Sequence, residues 1–441
     1  MYKLALCYPS NSKENKGIEF LYGPLSLAYI ARHTPENYMM SLHDEYVGET
    51  IDAQKIDADL VAISALTPGI SRAYQIGDQL RKRGIKCVIG GNHVTALPDE
   101  ALEHFDSVII GEGENPWEEL LKDFEKGNIS DKYYGPMNVP LDTLGTPDRR
   151  FIHKNYKYPS VNTSRGCPYN CSFCYLSVYK DRKYRIIPHK TILEDLDSLR
   201  DEFVVLITDE NFMGYTEENF EDRKTLLKEM IRQKFHFVWG CQTTVKVAEN
   251  PEMMELMYRA GCRGIFIGFE SSNMEDLIKM HKKQNVGIDF QKVVEKIHEH
   301  KIAVIASCIL GMDNQQNDYH LLLIKELKSY KVDYVRVYLM TAWPGTPLYD
   351  QLKAENRLSS LYDKVRFDIP STIFKHYTPE EIIIARNKIL KSFYSALYTL
   401  RVIFRWIFSD TTLIPLFIKL SVKNRIAERI RIKRAVTFLK N

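Results

Sequence analysis

Leu60-Val61-Ala62-Ile63-Ser64-Ala65-Leu66 is an almost wholly apolar run closed by Thr67-Pro68-Gly69, and the residues up to Arg83 then carry apolar side chains at helical spacing. A short apolar run bounded by Pro and Gly and followed by a helix reads as a central strand of a parallel sheet covered on both faces. The same order recurs on either side. Residues 4–8 precede a helix over 25–32, and residues 39–42 end in His43-Asp44-Glu45. Residues 86–89 lead through Gly90-Gly91-Asn92-His93 into a helix over 98–104. Residues 107–110 lead through Gly111-Glu112-Gly113-Glu114 into a helix over 116–124. Five such βα units within residues 1–130 predict a flavodoxin-like, doubly wound parallel sheet.

Between 131 and 158 the periodicity fades and Pro136, Pro140, Gly145 and Pro147 intervene, which predicts a linker. A second alternating series follows, with strands expected at 160–163, 203–208, 235–242, 264–269, 303–310 and 334–340. Six βα units over residues 159–350 predict an α/β partial (β/α)6 barrel, shorter than a closed eight-unit one. Residues 351–441 read as a helical C-terminal region.

Composition narrows the class. The chain has 441 residues, 44% of them hydrophobic and 27% charged, as an ordinary globular protein of two or three domains has. Eight cysteines are too few for a disulfide-stapled secreted fold. The apolar run near Met1 is too short for a signal-peptide core and no uncharged run approaches the ~20 residues of a spanning helix, so the cytoplasm is the expected compartment.

Three of the eight cysteines fall within Thr163-Ser164-Arg165-Gly166-Cys167-Pro168-Tyr169-Asn170-Cys171-Ser172-Phe173-Cys174-Tyr175, directly after the first strand of the second series. Clustered thiols in a reducing compartment point to metal. Zinc wants a fourth ligand at finger-like spacing, and neither His189 nor Cys241 supplies it. Three thiolates can hold three irons of a 4Fe-4S cluster and leave the fourth open to an outside ligand. In the first series, glycines cluster where strands end, at Gly90-Gly91 and Gly111-Glu112-Gly113. Such loops let backbone amides reach a ligand beyond the carboxyl ends of parallel strands, or else permit tight turns. No G-x-G-x-x-G dinucleotide loop is present, which argues against nicotinamide.

Cys167-x3-Cys171-x2-Cys174, with Phe173 before the last cysteine, resembles the cluster-binding signature of the radical S-adenosylmethionine (SAM) superfamily. The resemblance implies that SAM chelates the open iron and is cleaved to a 5′-deoxyadenosyl radical. It further implies cofactor contacts at Asp209, in the acidic turn Thr208-Asp209-Glu210, at Glu270 and Ser271, and at Gly311, where a missing side chain would let adenine approach the backbone. Trp343-Pro344-Gly345-Thr346-Pro347 resembles a stretch of the cobalamin-binding branch, whose N-terminal domain is also flavodoxin-like. By that resemblance Thr67, Gly90, Gly91, His93, Gly111, Gly113 and Glu114 lie in cobalamin-binding loops. The D-x-H-x-x-G motif that supplies a lower axial histidine is missing, because Asp44 is followed by Glu45, Tyr46, Val47 and Gly48. Cobalamin is therefore expected without a histidine axial ligand. No side chain is assigned a catalytic role beyond the cofactors. Cys7, Cys87 and Cys262 read as small buried hydrophobes, and Cys241 and Cys308 as buried residues near barrel strand ends.

From Arg386 to Asn441 the net charge is +11, against −8 for the rest of the chain. Apolar residues recur there at roughly helical spacing, with Arg401 and Arg405 beside Trp406. Basic amphipathic helices bind anionic lipid surfaces, so a peripheral contact at the inner membrane surface is expected; a helical lid packed on the barrel is the alternative. No base-reading module suggests nucleic acid. The resemblance then implies methylation of an unactivated carbon with an electron donor such as flavodoxin or ferredoxin, and the apolar basic tail points to a hydrophobic, lipid-like or natural-product substrate. Cyclisation, rearrangement or oxidation without methyl transfer is one alternative, and a non-catalytic cobalamin-responsive protein with a structural cluster is another.

Overall fold

The computed structural model describes residues 1–10, 22–47, 49–359, 370–407 and six positions between 409 and 418. They form two compact units of interleaved segments. The first comprises Met1–Pro168, Cys174–Leu199 and Trp343–Asp350, and the second Tyr169–Phe173, Arg200–Ala342 and the chain from Gln351 onward.

In the first unit, strands β1 (Tyr2–Tyr8), β2 (Tyr38–Asp44), β3 (Leu60–Ser64), β4 (Lys86–Gly90), β5 (Ser107–Gly111) and β6 (Lys132–Gly135) form one sheet in the order β2-β1-β3-β4-β5-β6. All the pairings are parallel. The apolar runs are continuous because both faces are covered. Val61 and Ile63 enter one core layer, while Leu60 and Ala62 enter the other. Cys7 and Cys87 are buried among the aliphatic residues of the first layer, as small hydrophobes. The order reverses between β1 and β3, which makes the carboxyl ends of these strands the place where a ligand crevice opens.

β6 lies where fading periodicity predicts only a linker. Its four residues, Lys132-Tyr133-Tyr134-Gly135, bury Tyr133 and leave Tyr134 exposed. Alternation over so short an edge strand leaves no recognisable apolar run. The strand expected at 160–163 is likewise split. β7 (Ser160–Val161) is followed by β8 (Ser164–Arg165), which pairs antiparallel with β9 (Arg185–Ile186). Gly166 then turns with φ +86°, and the backbone carbonyl of Lys183 occupies the space a side chain would need. Only glycine fits a turn of this hand pressed against backbone, so the residue ahead of Cys167 is fixed by sterics.

Two part-buried ion pairs hold this corner. Arg165 donates to both Glu114 oxygens at 2.6 and 3.1 Å, and Arg185 to both Glu112 oxygens at 2.6 and 2.9 Å. Two-pronged Arg–carboxylate contacts fix direction as well as distance. Burial by itself pushes the Glu114 carboxyl up, but the Arg165 guanidinium outweighs it and holds the carboxyl below its ordinary range.

In the second unit, β10 (Val204–Ile207), β11 (Val238–Thr243), β12 (Cys262–Glu270), β13 (Ala303–Leu310) and β14 (Tyr334–Leu339) pair in parallel in strictly sequential order. That is the winding of a barrel rather than of a doubly wound sheet, as the strand series predicts. Helices alternate with the strands. Glu217–Gln233 is started by a capping box between Thr216 and Asn219, and Phe290–Glu299 by the Asp289 carboxylate.

The C-terminal region packs on the same sheet through helices Pro379–Phe393 and Ala396–Ile407. Arg386 donates to the Val337 carbonyl, Tyr394 to that of Val335, and Tyr398 to that of Val332. Asp333 is fully buried and accepts from Arg405 at 2.9 Å, Trp406 Nε1 at 2.8 Å and the Val304 amide at 2.8 Å, with His298 Nε2 at 2.7 Å. The start of the region with net charge +11 is thus a packed layer, as the lid reading predicts. The remaining basic residues, from Lys419 to Lys440, lie outside the described residues.

Two expectations follow. Arg165→Ala leaves the part-buried Glu114 carboxylate without its guanidinium, at an expected cost of about 1–3 kcal/mol in denaturant unfolding at pH 7. Because the folded Glu114 value is depressed, the pair's contribution is present above the ordinary Glu value near ~4.3 and is lost as pH falls through the folded one, so the gap from wild type narrows in acid. A gap of equal size at pH 7 and in acid would sink this account. Asp333→Asn replaces a charged acceptor by a neutral one and is expected to free helix Ala396–Ile407, read as faster limited proteolysis after Phe393 with the rest of the chain intact.

Candidate functional site

At the carboxyl edge of the first unit, the residues singled out in the sequence have unequal surroundings. Leu66 follows β3 and is 37% exposed, an apolar side chain on an edge whose neighbour Ala65 is buried. A side chain at Gly90 would meet nothing closer than ordinary contact with Ile109, so the backbone there is open. Gly91 and Gly111 differ, with φ of +119° and +92°. The carbonyl of Ala65 stands against the Cα of Gly91, and that of Gly135 against Gly111. Their missing side chains make room for neighbouring strands, the tight-turn reading of these loops. Gly113 has the Ile30 methyl 3.1 Å from where its Cβ would be.

His93 is buried, with Nδ1 3.2 Å from the Thr67 hydroxyl and Nε2 3.3 Å from Glu100. Both ring nitrogens are engaged, which leaves no lone pair directed outward. His43 has its Nε2 3.2 Å from Ser41. Glu114 is committed to Arg165. Thr67, His93 and Glu100 therefore form one chain of contacts, and Glu114 with Arg165 another.

Cys167 and Cys174 are half-buried in the first unit and pack beside Met137, Leu176 and Tyr179. None of the eight cysteines is in a disulfide. Among the described residues no three His, Cys, Asp or Glu side chains converge as they would on a single metal ion. A cluster makes no such demand, because each thiolate binds a different iron.

In the second unit, Cys171 is buried, and the segment after helix Met274–Lys279 is bound to its loop. The Ser172 amide donates to the Met280 carbonyl at 3.0 Å, and Gln284 Nε2 to the Cys171 sulfur at 3.9 Å. Lys282 donates to Glu270 at 2.9 Å, and Asn285 to the carbonyls of Gly268 and Phe269. Burial pushes the Cys171 thiol up, and the Lys282 ammonium partly offsets it. Glu270 ends β12 with φ +64°, a left-handed conformation costly for a residue with a side chain, where the β12–β13 register slips. Gln284 Oε1 and Asn285 Oδ1 are buried acceptors with no partner among the described residues. Lys282, Gln284 and Asn285 escape a reading of strand ends because they lie a helix beyond Glu270. The available signal is a polar Lys-Lys-Gln-Asn run between two helical patterns.

The other expected contacts are mixed. Asp209 is buried just past β10. Ser271 donates to Asp276 at 3.1 Å and lies 3.1 Å from the Tyr319 hydroxyl, inside a structural network. Gly311 has φ +98°, but the Phe374 ring and Ile382 fill the space beside it, so its close approach is to the C-terminal region rather than to an open cavity. Cys241, Cys262 and Cys308 are buried. Desolvation pushes the Cys241 and Cys308 thiols up, which keeps them unreactive.

Residues 161–327 match the radical SAM superfamily and residues 17–121 the B12 binding domain. The bacteriochlorophyllide d C-12(1)-methyltransferase of Chlorobaculum tepidum is 30% identical over 84% of this chain and 80% of its own. The hopanoid C-2 methylase of Rhodopseudomonas palustris is 25% identical over 76% of this chain and 65% of its own. The fold is also that of the radical SAM methyltransferase TsrM from Kitasatospora setae, solved with cobalamin and a 4Fe-4S cluster bound. That comparison has a TM-score of 0.66 and 15% identity, and covers 99% of this chain and all of that one. The expected cofactors and the enzymatic class are thereby borne out. With a cysteine triad in its second strand series and a glycine-edged parallel sheet before it, the chain belongs to the cobalamin-binding radical SAM enzymes, which use a 4Fe-4S cluster, SAM and cobalamin.

Proposed function

We propose that the enzyme transfers a methyl group to an unactivated carbon of a hydrophobic, lipid-like or natural-product substrate. The observation that carries this is the 30% identical relative spanning 84% of the chain, whose activity is methylation of a carbon on a bacteriochlorophyllide. The hopanoid methylase points to the same chemistry on a polycyclic lipid.

The residues present fit the three cofactors. Three cysteines outside disulfides, at a spacing of three and two residues, form a donor set for three irons. The orphaned acceptors of Gln284 and Asn285, near Glu270, suit a molecule that brings N–H donors, as the amino group of SAM does. The exposed Leu66 and the open backbone at Gly90 suit a flat macrocycle laid on the sheet edge. Bound there, the cluster supplies the electron that cleaves SAM, and cobalamin carries the methyl group.

In this reading Cys167, Cys171 and Cys174 hold the cluster, while Asp209, Glu270 and Ser271 position SAM. Thr67, Gly90, Gly91, Gly111 and Gly113 border cobalamin. His93 orients Thr67, and Glu114 orients Arg165. Cobalamin is held without a histidine below cobalt, since Thr67 and Glu100 already engage both His93 nitrogens. His93→Gln is then expected to keep the cobalamin absorption spectrum of wild type, whereas a spectrum moved to that of a ligand-exchanged cobalamin would reverse the assignment.

Anaerobic reconstitution with iron, sulfide and hydroxocobalamin, followed by reduction with SAM and product analysis, tests the main reading. Deoxyadenosine together with S-adenosylhomocysteine is expected, both abolished in Cys167→Ala. Deoxyadenosine without S-adenosylhomocysteine would replace methyl transfer by cyclisation or oxidation, and neither product from a loaded enzyme would favour a non-catalytic cobalamin-responsive protein.

A peripheral membrane contact belongs to the same proposal. Helix Ala396–Ile407 buries Tyr398, Val402 and Trp406 but exposes Leu400 and Phe404, at 62% and 66%, next to Arg401. The chain beyond it carries eight Lys and Arg against two acidic residues. A basic stretch that follows an apolar face in sequence matches an anionic lipid surface, where a hydrophobic substrate also resides. Full-length enzyme is expected to sediment with phosphatidylglycerol vesicles and not with phosphatidylcholine ones, and Leu400→Glu with Phe404→Glu to abolish this. Equal binding by the variant, or loss of a dimer in its place, would refute the contact.

A further inference from the structure

Met280–Asn285 does two things at Cys171. Met280 anchors the loop, its carbonyl accepting from the Ser172 amide at 3.0 Å and its sulfur from the Ser172 hydroxyl at 3.5 Å. The segment's side chains then set the surroundings of the thiol. Gln284 is buried and directs its amide N–H to the Cys171 sulfur at 3.9 Å, within the range of bonds to sulfur. With Nε2 on the sulfur, Oε1 is left buried without a partner. A buried acceptor left unpaired costs about 1–3 kcal/mol. Asn285 is tied to two carbonyls of β12 and fixes the segment from which Gln284 projects.

Hydrogen bonds to cluster sulfurs are among the levers that set the reduction potential. A donor on a ligating thiolate stabilises the more negative state of the cluster, the one reached by adding an electron. We propose that Gln284 is a positioning residue whose amide N–H on the Cys171 sulfur raises the potential of the cluster, so that a biological reductant can fill it. The inference rests on the reading of Cys171 as a cluster ligand.

The test uses the full chain, reconstituted anaerobically with iron and sulfide and titrated with dithionite under electron paramagnetic resonance, with iron content measured alongside. Gln284→Leu keeps the side-chain bulk and removes the donor. Gln284→Glu keeps the length and, as a carboxylate, offers only acceptors. Both are expected to bind iron as wild type does and to take up the electron at a more negative potential. A tenfold smaller ratio of reduced to oxidised cluster at fixed potential corresponds to about 59 mV. Full iron with an unchanged midpoint in either variant would overturn the proposal. So would loss of iron from both with circular dichroism unchanged, because Gln284 would then serve assembly and not potential. Failure of the underlying reading has a separate sign, a Cys171→Ala chain that still yields the wild-type cluster signal.

Discussion

The corner formed by Arg165, Glu114, Arg185 and Glu112 is the constraint on which the first unit's functional edge depends. Glu112 and Glu114 sit on the loop that leaves β5, while Arg165 and Arg185 sit on the two-stranded ribbon that opens into the first cysteine. A single ion pair at a surface would be worth little. Here both carboxylates are held two-pronged and largely shielded from water, so the loop after β5 and the turn before Cys167 are tied together. Gly166 completes the arrangement, because its left-handed backbone lets the chain turn where the Lys183 carbonyl leaves no room for a side chain.

That corner also explains how the acidic loop should be understood. Gly111-Glu112-Gly113-Glu114 has the composition of a ligand loop, yet its carboxylates are spent on arginines and Gly111 is pressed against the Gly135 carbonyl. The loop contributes by holding position, and the open surface lies at Leu66 and Gly90 instead. His93 illustrates the same economy. It sits among glycine loops where a metal ligand might be sought, but Thr67 and Glu100 claim its two nitrogens. Hydrogen-bond satisfaction decides between ligand and support, and residue type alone does not.

The architecture was legible in the chain wherever a strand was buried on both faces. Runs such as Leu60–Ser64 and Ala303–Leu310 are apolar but for single serines because both faces of these parallel strands are buried. β6 was not legible, since an edge strand with one buried side chain leaves almost no pattern. The cysteine triad was legible because its chemistry depends on local spacing. Lys282, Gln284 and Asn285 were not, because they meet Cys171 and Glu270 only after the chain has passed through another helix. Nor did Gly311 reveal its neighbour, since Phe374 comes from more than sixty residues away.

Several unusual features of the second unit meet at the end of β12. Glu270 has left-handed backbone at the end of β12, the β12–β13 register slips there, and two acceptors nearby are buried without partners. Other buried groups of this unit find partners within the chain: Asp333 has four, and Ser271, Asp276 and Gln315 close a network of their own. Buried atoms without a partner occur at Asn314, His320 and Ser371 as well, but those of Gln284 and Asn285 lie on the segment that touches Cys171 and Glu270. Left-handed backbone, a register slip and missing hydrogen-bond partners thus coincide at a few residues, and this coincidence is what supports the proposed placing of SAM beside Glu270.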